Sequence, residues 1–198
     1  MDRHAIQRRV AEFQRAYMTE PDFLDRHYQL PSITKLLMDS SVLGVSRFIE
    51  LPSFEPERLF TFVYRASSIE ISAAIGATSL WCSMPSVCQV PETGEWEVEE
   101  GEPFQPSQAS HRSAVLALPS MVCPLLLQDW ATVRMASSKA GKCSTDACDG
   151  IGYNHRVADR EIQTNSDWHN PKVPDHAPQI ALVKAYAKLL HDVGLYSK

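Results

Sequence analysis

Apolar residues return every three or four positions near the start of the chain. Ile6, Val10, Phe13 and Tyr17 share one helical face. With Asp2 as N-cap and Pro21 as stop, the spacing predicts a helix over 2–18. A shorter helix is expected from Ser32 to Met38, with Ser32 as cap and Ile33, Leu36 and Leu37 turned inward. The period then shortens. Leu59 to Arg65 is rich in aromatic and β-branched residues, and Ile69, Ile71, Ala73 and Ile75 alternate with Glu70, Ser72 and Ala74. Ala66-Ser67-Ser68 between them is short enough for a hairpin. Flanking strands are expected at Val45 to Leu51 and at Ser79 to Met84, each stopped by a proline. The four read as an antiparallel meander with one face on the core.

Beyond residue 90 the pattern breaks. Pro91, Gly94, Gly101, Pro103 and Pro106 punctuate residues 91–108, which read as a mobile acidic loop holding a short hairpin around Trp96 and Val98. A buried strand is expected at Ser113 to Leu118, a helix at Ser120 to Val133, and a polar loop at 136–150. Two short strands, Gly152 to Val157 and Glu161 to Ser166, flank a turn at 158–160. Ile180, Val183, Ala187 and Leu190 form the stripe of a closing helix, and Gly194 stops it. The order is helices, strands, helix, strands, helix. That predicts an α+β fold: an antiparallel meander packed with N-terminal, middle and C-terminal helices, as one domain over 1–198.

Composition narrows the function classes. The net charge of -5 argues against a nucleic-acid binder, which needs a clustered basic face. It argues equally against electrostatic adsorption to anionic membrane. The longest apolar stretch, Val115 to Leu127, is cut by two prolines and is too short to span a bilayer. Five cysteines, an odd number, read as reduced thiols and point to the cytoplasm. Dinucleotide, P-loop, metalloprotease and nucleophile-elbow signatures are absent from the sequence.

Three segments carry candidate chemistry. Residues 143–176 gather Cys, His and Asp, the residue types that hold zinc. There Cys143, Cys148 and His155 are candidate ligands, and Asp149 or His169 candidate acid–base groups, of a metal- or thiol-dependent enzyme. Against this, loop polars and small buried thiols give the same composition; Cys82, Cys88 and Cys123 read as inert core residues. Trp168-His169-Asn170-Pro171 could form a recognition corner with the indole on a partner, but the simpler expectation is that Trp168 packs under the terminal helix and Asn170-Pro171 makes a turn.

The acidic loop is the third. Glu92, Glu95, Glu97, Glu99, Glu100 and Glu102 are six glutamates within eleven residues. Their mutual repulsion would be relieved by a cationic partner, with Trp96 as an apolar anchor. A plain solvated loop would show the same charge run.

Asp149-Gly150, Tyr153, the hairpin after it, Trp168, Asn170-Pro171 and the closing helix together resemble uncharacterised bacterial proteins of the immunity or accessory kind. Leu51-Pro52-Ser53-Phe54 and Ser79-Leu80-Trp81 fit the same likeness. The resemblance implies a non-enzymatic protein-binding role, such as neutralising a toxin or effector, and carries over no active-site residues. A basic enzyme would be the natural target, because carboxylates can stand where phosphates bind.

Overall fold

The computed structural model describes residues 3–20, 22–53, 55–80, 82–83, 86–89, 93, 96–99, 109–117, 151–169 and 177–196. Three helices come first: α1 (Arg3–Thr19), α2 (Phe23–His27) and α3 (Ile33–Leu37). Ser32 caps α3, its hydroxyl accepting from the Lys35 amide at 3.2 Å. The strands follow as β1 (Gly44–Pro52), β2 (Arg58–Tyr64), β3 (Ser68–Ile75), β4 (Ser86–Gln89), β5 (Trp96–Glu99), β6 (Ser110–Ala117), β7 (Ile151–Ala158) and β8 (Gln163–His169). Helix α4 (Ala177–Asp192) closes the chain. Gly194, at φ +73°, turns the chain out of α4, and the Leu195 amide donates back to the Leu190 carbonyl at 2.8 Å.

Six strands form one antiparallel sheet in the order β6-β3-β2-β1-β7-β8, and β4-β5 form a separate two-stranded ribbon. The architecture is the α+β class that the alternation of patterns predicts. The sheet differs from expectation first in that both faces are covered. On one face α4 lays Leu182, Tyr186 and Leu190 over Phe48, Phe60, Phe62 and Ile71. On the other, α1 to α3 bring Tyr17, Phe23, Tyr28 and Ile33 onto Ile49, Leu59, Val45 and Val63. Burial on two faces leaves β1 and β2 almost wholly inside, which is why β2 lacks a polar alternation.

Other expectations are corrected. Ser79, Leu80, Cys82 and Ser83 are not strand: Ser79 and Leu80 are drawn into bonds with Glu57, and the Ser83 amide closes a turn on the Leu80 carbonyl. Cys82 is exposed, so it is no core thiol. Strand β6 begins at Ser110 and is a mostly exposed sheet edge, with Val115 70% exposed; an edge strand needs only one neighbour. The turn between β2 and β3 is Arg65 to Ser67, closed by the Arg65 amide on the Ser68 carbonyl at 2.9 Å. Helix α2, one turn between two prolines, escapes the periodicity altogether. The expected helix over 120–133 and loop over 136–150 lie outside the described residues.

Candidate functional site

The sheet carries a straight line of polar residues on its α1–α3 face. Strand register aligns Asn165, Arg156, Arg47, Thr61, Ser72 and Ser113, one from each of the six strands. Neighbouring rows on this face are apolar in their central part: Ala158, Val45 and Val63 on one side, Ile49, Leu59 and Ala74 on the other. Because side chains alternate along a strand, a shift of one residue in any pairing would break the line.

The middle of the line is charged and sealed. Arg47 and Arg156 have fully buried side chains on adjacent strands. Two like charges so placed require a counter-ion, and α2 supplies it. Asp25 takes a bidentate pair from Arg156, at 2.7 and 3.1 Å, and is ion-paired with Arg47 as well. Asp22, half in solvent, adds a contact to Arg156 at 3.1 Å. Arg47 also donates to the Pro31 carbonyl at 2.9 Å and through Nε to Thr61 Oγ1 at 3.0 Å. Towards β6 the line opens: Ser72 is half-buried, Ser113 exposed, and a pocket of about 250 Å³ lies over Thr61, Ser72 and Ser113.

Two further polar clusters lie in the interior. Glu57, fully buried, accepts from Tyr17 Oη at 3.0 Å, Tyr28 Oη at 2.8 Å, Ser79 Oγ at 3.0 Å and the Leu80 amide at 2.9 Å. Four donors match the lone-pair sites of an ionised carboxylate. Burial, with the neighbouring Glu57 charge, pushes both tyrosines above their usual range. On the α4 face, His155 Nε2 sits 2.8 Å from Ser46 Oγ and 3.1 Å from Tyr186 Oη. Its Nδ1 has no partner among the described residues. An unmet buried N–H is rarer than an unmet acceptor, which places the proton on Nε2. Burial pushes this imidazole down to about 3, so it is neutral.

Residues 96–99 of the acidic segment form one strand of the ribbon. Strand β5 pairs Trp96, Glu97, Val98 and Glu99 with Gln89, Cys88, Val87 and Ser86 of β4, and β4 lies alongside α1. Strand alternation puts positions 97 and 99 on one face of the ribbon, and 96 and 98 on the other. Glu92, Glu95, Glu100 and Glu102 lie outside the described residues. So do Cys143, Cys148 and Asp149; His155 is in the core with Ser46 and Tyr186, and His169 ends β8 opposite Gly152. No cluster of three metal-ligating side chains occurs among the described residues. Position 168 pairs with Tyr153, whereas 170–171 lie outside the described residues. Among the described residues no helix is long and apolar enough to cross a membrane.

Sequence reasoning passed over the buried polar groups entirely. The usable signal was in β1, where Ser46, Arg47 and Glu50 interrupt an apolar run; all three are buried, and each joins its own polar contact. Comparison with protein-family models, curated proteins and solved structures finds no match for this chain.

Proposed function

We propose that the chain is a non-enzymatic protein-binding protein that meets a basic partner through its acidic ribbon, in the manner of an immunity protein neutralising a toxin or effector. The observation that carries this reading is the β4-β5 hairpin, which holds Glu97 and Glu99 at positions two apart on one strand, inside the run of six glutamates from Glu92 to Glu102. A strand fixes the spacing of such charges, so less order has to be imposed when a cationic surface arrives. The ribbon is also a sheet of its own rather than an extension of the main one. The buried acids and the buried imidazole described above are engaged with neighbours in the core, which favours recognition over catalysis.

The test is affinity capture from the native organism, followed by titration of the captured protein against wild type and a Glu95→Gln, Glu97→Gln, Glu99→Gln, Glu100→Gln variant. The reading expects a basic partner whose binding weakens as salt rises and is flattened in the variant. A partner bound equally well by the variant removes the ribbon from the account.

A further inference from the structure

At its β6 end the polar line opens into a pocket. Leu30 and Leu36 from the α3 side, with Val63 and Val115 from the sheet, wall the pocket of about 250 Å³. Its floor is Thr61, Ser72 and Ser113, aligned by register on three neighbouring strands. Thr61 Oγ1 accepts from Arg47 Nε, so its own hydrogen is left for another acceptor. A hydroxyl that accepts from a guanidinium is polarised into a better donor. Among the described residues, neither the Ser72 nor the Ser113 hydroxyl has a hydrogen-bond partner.

The charge beneath the floor is unbalanced. Among the described residues, two buried guanidinium groups, Arg47 and Arg156, face one buried carboxylate, Asp25; the second carboxylate, Asp22, is 53% exposed and lies on the Arg156 side. The surplus is therefore positive under Thr61. Glu70, on the pocket wall, is held by Arg65 Nε at 2.6 Å and is in that measure neutralised.

Hydroxyl donors, a buried positive field and short apolar walls together select one ligand chemistry. We propose that this pocket binds a carboxylate on a short aliphatic body, its oxygens accepting from Thr61 and Ser72 and its apolar end against Leu30, Leu36 and Val115. A free short-chain acid and the C-terminal carboxylate of a peptide share this chemistry. The site does not depend on the acidic ribbon.

The experiment follows the backbone amides of the full isotope-labelled chain by NMR during titration. The probes are isovalerate, its neutral amide, and an acetylated glycyl-valine dipeptide with either a free or an amidated C-terminus. The proposal expects saturable shifts centred on Thr61, Ser72 and Ser113 with both carboxylates and none with either amide. Tighter binding of the dipeptide assigns the source to a chain terminus, and tighter binding of isovalerate to a free acid. Ser72→Ala weakens binding about tenfold, the loss of one hydrogen bond to a charged group. Val115→Ala, at a position 70% exposed, keeps the test open if Ser72→Ala fails to fold, and weakens binding by removing an apolar contact to the ligand. Shifts that are absent, that fall elsewhere, or that the amides reproduce overturn the proposal.

Discussion

Arg156 and Asp25 lie 131 residues apart in the chain and form a two-pronged pair, Nη2 to Oδ1 at 2.7 Å and Nη1 to Oδ2 at 3.1 Å. The pair ties the one-turn helix α2 to the sheet, and Arg47 locks onto the same carboxylate. Removing the acid strands two buried cations. Asp25→Ala is expected to cost about 3–5 kcal/mol in urea unfolding. Replacing Asp25, Arg47 and Arg156 together by apolar residues of similar volume costs much less, because no charge is then left unpaired. Equal losses in the two variants would show that the trio matters by shape alone.

Glu57 holds the α1–α3 layer by a different device, a carboxylate with hydrogen-bond donors from three segments. Glu57→Gln turns an NH₂ group towards donors and is expected to cost about 3 kcal/mol, as buried donors go unmet. Gly76 guards the same place: a Cβ there would lie 2.6 Å from Tyr28 Oη and 2.9 Å from the Thr78 carbonyl. Gly76→Ala therefore destabilises by about 1–3 kcal/mol through overpacking. Thermal melts of both variants check this, and an unchanged melting temperature in Gly76→Ala would contradict it.

His155 gives the fold an acid-sensitive term. Its imidazole titrates at about 3 in the folded chain against 6.5 when free. Between those values the unfolded chain holds a proton that the folded chain does not. This contribution is thus complete above pH 6.5 and is lost as pH falls towards 3, at about 1.4 kcal/mol per pH unit. His155→Gln is expected to flatten the dependence over that range, whatever it does to absolute stability. Parallel slopes for wild type and variant, from urea titrations at several pH values, would refute the assignment.

The α4 layer is expected to respond to volume. Leu190 is 1% exposed among Phe62, Ile71 and Leu182, and Leu190→Ala should cost about 2–5 kcal/mol. Met38, 79% exposed, should tolerate alanine within about 0.5 kcal/mol. Denaturant midpoints of the two variants measure the contrast.

What was readable in the sequence follows from which forces act locally. The faces of α1 and α4 and the β2-β3 hairpin are written in residue spacing, and the structure has each of them; the strand at Trp96 and Val98 is there too, but its partner is β4 at 86–89, outside the acidic loop where the hairpin was expected. Helix α2 was not readable, since five residues give no period; it places Asp25 over Arg47 and Arg156, a contact between distant parts of the chain. Ser79 to Met84 reads as a strand because it is largely apolar, yet Glu57 claims the donors of Ser79 and Leu80. The polar line from Asn165 to Ser113 depends on register across strands up to about a hundred residues apart. No window of sequence contains that information.

The partner-binding account stands on the ribbon, and one measurement reaches it most directly. The captured partner is titrated into wild type and into a Glu97→Gln, Glu99→Gln variant over a range of ionic strength. The account predicts weaker binding by the variant at low salt, a shallower salt dependence, and convergence of the two at high salt as exposed charges are screened. Superimposable affinities at every salt concentration would contradict it.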